Sequence, residues 1–420
     1  MVWSFGSVLA EMQSLKSHML LATFPKSCTQ EGTWDVIWTW LQWSFKALAK
    51  GQHPNVDPWG KALTKASPFY HLAGQSCGPY KGTLWVIQGD HEFYSNSLNL
   101  PHWASKTPCW MCNATAPTGA RSYKQLDLSK FSLVESPKEA LKKAASSHAI
   151  FSLGGVTSRN VRGDLLHIVF TKGLYSHLLG GIIHYMLYYD GVGPGKKQVV
   201  SPQDRLSIIF LEVQKIYRFE KTECRLTNLR MSMVMDPKHP HSQWAKLDAK
   251  AGETKHFAPC FLQVAKKMWC KSERPQDHRM IKALEAMVSF VALCDRSKLF
   301  FSAEEYEEAW GLAKGFAKDY EILAAWASSE GRLLFNTVIK HHTFLHLAKD
   351  AVCCNPKYHW TFRSEDFVGQ IAKLAHSCTM GTSATKISAK LSRKYRILLH
   401  LVLTRENFGL LEDTEDDDLD

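Results

Sequence analysis

The chain has 420 residues, of which 45% are hydrophobic, so it can bury the core of one large or two ordinary domains. It has no stretch of about 18 uncharged apolar residues, and its first residues lack a basic region followed by an apolar run. We therefore expect neither a transmembrane helix nor a signal peptide. The 11 cysteines have no regular spacing, which favours reduced thiols inside a cell over a disulfide framework.

The net charge of +11 is unevenly distributed along the chain. Residues 412–420 contain seven acids and no base, so residues 1–411 combine 51 basic with 33 acidic side chains, a net charge of +18. Such a basic body suits a polyanionic partner, because counterions released from the polyanion favour binding. The alternative is a basic surface that only confers solubility. The acidic segment 409–420 is expected to be disordered.

The first predicted element is a helix over residues 33–49, where apolar side chains recur every three or four residues. Residues 51–82 are rich in glycine, proline, serine and histidine and predict a loop. The apolar run at 84–87, bounded by glycines, predicts a buried strand that ends just before Asp90.

The rest of the chain has a mainly helical pattern. Residues 164–189 predict a long apolar helix that bends near Gly180 and Gly181, since glycine weakens a helix. Ser302 and Glu305 form a capping box at the start of a later helix. We expect a strand at 148–155, a turn at 191–197 and a strand or helix at 228–234. One helix should begin at about residue 203. The other expected helices are at 137–147, 257–269, 276–294, 302–328, 330–352, 364–378 and 385–404.

A small strand-bearing region followed by a mostly helical body predicts an α+β fold, with a mixed α/β arrangement as the alternative. No Gly-rich phosphate loop, dinucleotide-binding motif or hydrolase nucleophile motif occurs, so ATP-driven, Rossmann and α/β-hydrolase functions lose support. The expected segments are an N-terminal helical and loop region (1–81), a strand-bearing core (82–190), a helical insertion (191–330), a C-terminal helical part of the core (331–408) and the acidic tail.

Cys109 and Cys112 form the only Cys-x-x-Cys in the chain. This is the spacing of one half of a zinc knuckle, and a structural zinc site needs two further ligands. The alternative is a pair of buried free thiols. The missing ligands would come from a distant cysteine or from His102, His167, His342 or His346.

Several carboxylates occupy positions that suit either chemistry or local structure. Asp90 at a strand end would lie at the rim of a sheet, where metals and ligands bind, or it forms a simple turn. Asp164 and His167 would share one helix face toward a metal or phosphate site, or Asp164 only caps that helix. Glu365 and Asp366 follow Ser364, a plausible N-cap, and the helix dipole alone explains acids there.

His342 and His346 are one helical turn apart and can chelate a metal, although core or surface histidines are the alternative. No glutamate follows them as in a metalloprotease motif.

The order of these motifs resembles that of transposase-like proteins of eukaryotic cut-and-paste elements, particularly the Plavaka and Kyakuja–Dileera–Zisupton type. In that family a strand ending in aspartate precedes a Cys-x-x-Cys. An Asp-Leu-Leu/Met-His helix with a following glycine comes next, and a Pro-Lys-x-His-x-x-x-His stretch precedes a C-terminal acid. The resemblance spans about residues 82–380, and the matching stretches are Asp90, Cys109–Cys112, Asp164–His167 with Gly173 and His177, "LFNTVIKHHTFLHL" (334–347) and "SEDFVG" (364–369).

The resemblance implies a partial RNase H-like mixed sheet with a large helical insertion, in a DNA-binding protein of the nucleus or cytoplasm that associates with no membrane and could form a homo-oligomer. Carboxylates would hold two Mg²⁺ or Mn²⁺ ions for phosphodiester transfer. The matching acids are Asp90, Asp164 and Glu365, with Asp366 as the alternative to Glu365. Zn²⁺ would be structural, with ligands among Cys109, Cys112, His167, His342 and His346.

The chain departs from the family at two points. The first catalytic acid of the family lies on a strand upstream of the knuckle, whereas Asp35 lies in a helical pattern and Asp57 in a loop pattern. Ile339 stands where the family has proline before the lysine. We therefore expect an incomplete or degenerate transposase, active or inactive. The alternative function is a helical protein-interaction module without catalysis.

Overall fold

The computed structural model describes residues 2–6, 14–79, 81–133, 149–152, 156–190 and 200–407. The chain divides into two compact units, one formed by Met1–Gly82 with Thr361–Asp420 and the other by Thr83–Trp360. The described residues are mostly helical, with one two-stranded antiparallel sheet, so the α+β class is confirmed at this coarse level. The division into five segments remains a prediction.

The strands are β1 (Val2–Gly6) and β2 (His18–Thr23), which pair from Val2 with Thr23 to Gly6 with His18. The α-helices of the described residues are α1 (Ser14–Ser17), α2 (Thr33–Lys50), α3 (His91–Leu98), α4 (Leu174–Tyr188), α5 (Pro202–Phe219), α6 (Ala251–Met268), α7 (Pro275–Arg296), α8 (Ala303–Ser329), α9 (Ile339–Asp350), α10 (Phe362–Thr379) and α11 (Ala384–Asn407). Within the described ranges, no helix is long and apolar enough to cross a membrane.

The smaller unit contains the sheet with α1, α2, α10 and α11. Its core joins Phe367, Ile371 and Cys378 of α10 to Leu391 and Tyr395 of α11. Within each helix these side chains are four or seven residues apart, so each helix presents one apolar stripe to the other. The helix predicted at 33–49 is confirmed as α2, which is flanked at both ends by glycines in the left-handed conformation.

The larger unit is built around α4, whose side chains from Leu174 to Leu187 are all buried. Helices α5, α6, α7 and α8 follow in sequence and each packs against the one before it, while α9 packs on α8. A helix that is apolar on all sides needs such a surrounding layer. The capping box predicted at the start of α8 is confirmed, since Ser302 and Glu305 each accept the other's backbone N–H.

The single helix predicted over 164–189 is wrong, because a π-helical turn at Leu166–Phe170 and helix α4 replace it. The chain breaks at Gly173, where a Cβ atom would lie 2.1 Å from the carbonyl oxygen of Ile168. Helix α4 runs through Gly180, where a Cβ atom would lie 2.4 Å from the Cα of Lys246. Gly180 therefore permits close packing of another segment, which is a different role from the predicted bend.

The strand predicted at 84–87 is also wrong, and only an isolated parallel bridge joins Ile87 to Val161. The side-chain amide of Asn160 donates to the carbonyl oxygens of Leu84 (3.4 Å) and Trp85 (2.9 Å), so this side chain supplies hydrogen bonds that a neighbouring strand would otherwise make.

Two other expected elements are 3₁₀ turns, at Ala149–Ser152 in place of a strand and at Met231–Met233 in place of a strand or helix. The expectations for the helix at 137–147, the turn at 191–197 and the tail at 409–420 fall outside the described residues.

Candidate metal centre

Two cysteines and two histidines meet in the interior of the larger unit. Cys109, Cys112, His342 and His346 each offer one ligand atom, and these four atoms lie within 4.8 Å of one another. All four residues are buried, with at most 4% of their surface exposed. The structure therefore joins the Cys-x-x-Cys to the His-x-x-x-His, although 230 residues separate Cys112 from His342 in the sequence.

The cysteine half of the cluster lies in a tight turn whose backbone faces the sulfurs. The N–H of Met111 donates to Cys109 Sγ at 3.3 Å, and the N–H of Ala114 donates to Cys112 Sγ at 3.4 Å. Donors directed at a sulfur stabilise its negative form. An antiparallel bridge between Cys112 and Leu133 then holds this turn to the chain that follows.

The histidine half is supplied by α9, whose residues from His341 to Ala348 are buried. His342 and His346 are four residues apart, so their rings project from the same face of the helix. Their Nε2 atoms are 3.2 Å apart. The rings of Phe131 and His342 meet edge to face, with their centroids 4.8 Å apart, and this contact restricts the orientation of the imidazole.

The surroundings favour the thiolate form of Cys109. Burial by itself raises the pKa of this thiol, but hydrogen bonding with Cys112 and the hydrogen bonds and charges of His346 and His342 lower the pKa well below its usual value. A thiolate is the form of cysteine that binds metal ions. The cluster is therefore electrostatically prepared for a cation.

Three of the separations in the cluster are close to those around a tetrahedral metal ion. A zinc ion with Zn–S bonds of about 2.3 Å and Zn–N bonds of about 2.05 Å places its ligand atoms about 3.3 to 3.8 Å apart. The observed separations are 3.1 Å from Cys112 Sγ to His342 Nε2, 3.6 Å from Cys109 Sγ to His346 Nε2 and 3.2 Å between the imidazole nitrogens. This cluster could bind a zinc ion, and it contains the soft and borderline donors that zinc prefers.

His167 does not belong to this cluster, so its prediction as a ligand beside the two cysteines is wrong for this site. Its Nδ1 contacts the carboxylate of Asp164. Asp164 is 3% exposed and also accepts the backbone N–H groups of Leu166 and His167. This carboxylate therefore caps the turn that follows it and also holds the His167 ring.

Asp90 has a structural role at the start of α3, one of the two alternatives that the sequence left open. Its carboxylate accepts the backbone N–H of Phe93 at 2.6 Å and caps α3. The negative charges of Asp90 and Asp164 both interact electrostatically with the ammonium of Lys340. Burial lowers the pKa of Lys340 to about 8, and the charges of Asp164 and Asp90 oppose that shift. The ammonium itself donates to the carbonyl oxygens of Thr171 (2.8 Å) and Lys172 (3.2 Å).

The remaining predicted acids lie in the smaller unit. Glu365 is in the first turn of α10, and Asp366 accepts a hydrogen bond from the side chain of Gln370 at 2.9 Å. Ser364 is not the N-cap of this helix, since Thr361 occupies that position. Its hydroxyl is instead hydrogen-bonded to the imidazole of His18. The expected proximity of Glu365 to Asp90 concerns two different units and remains a prediction.

No family model, curated protein or solved structure matches this chain.

Replacing Asp164 with alanine should lower the free energy of unfolding by about 3 kcal/mol, because two backbone N–H groups lose a buried acceptor. Asp90→Ala is the comparison variant, and its loss should stay near 1 kcal/mol, the usual effect of removing an exposed or half-exposed cap. Urea denaturation of the two variants measures the difference. Equal losses would show that burial of Asp164 adds nothing to its capping role.

Proposed function

We propose that this chain is a nucleic-acid-binding protein of the transposase type whose larger unit is held together by a structural Zn²⁺. One observation carries the proposal: the Cys-x-x-Cys and His-x-x-x-His motifs meet in one buried cluster. These are two of the motifs on which the resemblance to Plavaka and Kyakuja–Dileera–Zisupton transposases rests. A shared metal site gives a physical reason for both motifs to occur in one chain.

A structural role for zinc follows from the ligand set. Structural sites use four protein ligands, whereas catalytic sites keep one position open for water or substrate. The cluster supplies two sulfurs and two nitrogens, and all four residues are buried. Bound zinc would therefore fasten the cysteine turn to α9 without taking part in a reaction.

The charge of the chain supports nucleic acid as the partner. Residues 1–411 carry a net charge of +18. A protein that neutralises several phosphates releases their counterions, so its affinity falls steeply as salt concentration rises. A location in the nucleus and assembly into a homo-oligomer are further parts of this proposal.

We expect the protein to bind duplex DNA of unrelated sequences with similar affinity and with a strong dependence on salt. If six phosphates are contacted, the affinity should fall about 10³-fold between 50 and 200 mM salt. Fluorescence anisotropy with two labelled duplexes of different sequence measures both properties. Undetectable binding at low salt, or an affinity that does not change with salt, would favour a protein-interaction module instead.

The resemblance adds an RNase H-like core and phosphodiester transfer with Mg²⁺ or Mn²⁺ to this proposal. The catalytic acids would be Asp90, Asp164 and Glu365 or Asp366. The charges of Asp90 and Asp164 both raise the pKa of Lys340, which supports a location of the two acids in the same region of the larger unit. Helix capping also accounts for both carboxylates, so we propose nucleic-acid binding as the function and leave catalysis as an expectation of the resemblance.

A further inference from the structure

We propose that a lysine-lined groove beside the metal centre is the surface that contacts the phosphate backbone of DNA. This inference rests on the proposed function and assigns it a site. The groove has a volume of about 890 Å³ and lies entirely within the larger unit. We define the lysine groove by Lys130, Lys314, Lys318 and Lys349 together with Trp310.

Helical spacing explains why the lysines meet. Trp310, Lys314 and Lys318 are four residues apart on α8, so they form a single stripe along that helix. Lys349 lies on α9, four residues after Leu345, which also lines the groove. The opposite wall is the segment 126–133, whose 3₁₀ turn carries Lys130. Three separate elements thus direct cations into one concave surface.

The two carboxylates that line the groove already accept hydrogen bonds from neighbouring residues. Asp127 accepts the N–H and the hydroxyl of Ser129, and Glu321 accepts the N–H of Leu126 at 3.0 Å. Hydrogen bonds from Ser129 lower the pKa of Asp127, and the charge of Lys130 contributes less in the same direction. In the part of the chain that the structure describes, no carboxylate forms an ion pair with any of the four groove lysines. The groove therefore presents a local excess of positive charge.

The lysines on α8 form an arrangement that costs helix stability. Lys314 and Lys318 are four residues apart, and like charges at this spacing destabilise a helix. Lys314 also lies over the ring of Trp310, with its Nζ 5.4 Å from the ring centroid. An anion bound between the lysines would remove their repulsion, so the arrangement is suited to a negatively charged ligand.

The cation type favours a phosphate backbone over specific recognition of bases or carboxylates. All four cations that define the groove are lysines, which act as point charges on flexible chains. Bidentate recognition of guanine or of a carboxylate is the usual task of arginine, and among the described residues no arginine lines the groove. Contacts through lysine position a phosphate chain without reading its sequence.

Residues of the metal cluster contact both walls of this groove. Phe131 lines the groove and packs against His342, while Leu345 lies on α9 between the two histidines. Cys112 bridges to Leu133 at the end of the opposite wall. A metal ion at the cluster would thus fix the segment 126–133 relative to α9.

The test replaces all four groove lysines with glutamine and compares the product with a charge-matched control. The control replaces Lys238, Lys271, Lys282 and Lys298, which are exposed and do not line the groove. Binding of a 25-base-pair duplex is measured by anisotropy over a salt series. Each lost phosphate contact lowers the magnitude of the slope of log affinity against log salt concentration by about 0.9. The slope of the groove variant should therefore be smaller by about 3 to 4, whereas the slope of the control should be almost unchanged.

Each outcome decides a separate claim. Equal decreases of the slope in the two variants would contradict the assignment of the groove as the DNA-binding surface. Nucleic-acid binding would then be a property of the whole basic surface. Absence of binding by the unsubstituted protein would overturn the proposed function and the groove together. Zinc content and thermal unfolding confirm that the variants fold. If the fourfold variant unfolds, Lys314→Gln and Lys349→Gln alone should each reduce the slope by about 0.9, and unchanged slopes would overturn the proposal.

Discussion

Replacing Cys112 with serine will abolish zinc binding and lower the free energy of unfolding by at least several kcal/mol. Metal binding and folding are coupled in sites of this kind, with binding free energies of about 10–16 kcal/mol in zinc-finger peptides. The loss has a second cause, since the remaining thiolate and two imidazoles would stay buried without the cation that compensates them. Elemental analysis and denaturant unfolding of the same preparation measure both effects.

Cys294→Ser provides the matched control. Cys294 is a fully buried thiol of the same unit and lies outside the cluster. Burial raises the pKa of Cys294, so it stays a neutral thiol and its replacement should cost only packing free energy. The zinc content should remain at about one ion per chain in this variant. A Cys112→Ser protein that retains both its zinc and its stability would contradict the metal centre.

Acid will destabilise the larger unit between pH 6.5 and pH 4. Burial lowers the pKa of His177 and of His359 to about 4. In the unfolded chain both imidazoles take up a proton near pH 6.5, whereas in the folded protein they remain neutral until about pH 4. Stability is therefore complete above pH 6.5 and is lost as the pH falls. Each histidine contributes roughly 3 kcal/mol to this loss.

The measurement is the free energy of unfolding as a function of pH in three proteins. In His359→Gln the slope between pH 4 and 6.5 should fall by about 1.4 kcal/mol per pH unit, because one proton fewer is taken up on unfolding. Replacing the exposed His239 with glutamine should leave the slope unchanged. Both variants keep the metal ligands, so loss of metal in acid affects all three proteins alike. An unaltered slope in His359→Gln would show that this histidine is not held neutral by the fold.

The sequence predicted helices well where the local signals and the packing agree. Helix α2 has a continuous apolar stripe between two glycines, and α8 begins at a capping box. The strand at 84–87 had an equally clear apolar pattern, but hydrogen bonds from the Asn160 side chain replace those of a neighbouring strand. That replacement comes from a residue more than 70 positions away, which a local pattern cannot reveal.

The candidate site was predictable in its parts but not in its assembly. Spacing identified the cysteine pair and the histidine pair as possible metal ligands. His102 and His167 were equally acceptable as the two ligands that the cysteine pair still needs. The fold decides between them, since the His167 ring contacts Asp164 and the imidazole of His102 bonds to the N–H of Ala104. The groove lysines were missed, because only the packing of α8, α9 and the segment 126–133 brings them together. The four-residue repeat of Trp310, Lys314 and Lys318 was the one local signal present.

X-ray absorption at the zinc edge of the purified, reduced protein tests the metal centre most directly. The structure predicts about one zinc ion per chain, with two sulfur neighbours at about 2.3 Å and two nitrogen neighbours at about 2.0 Å. Protein that is folded and contains no zinc, or a zinc ion whose neighbours are oxygen and nitrogen alone, would contradict the assignment of Cys109, Cys112, His342 and His346 as its ligands.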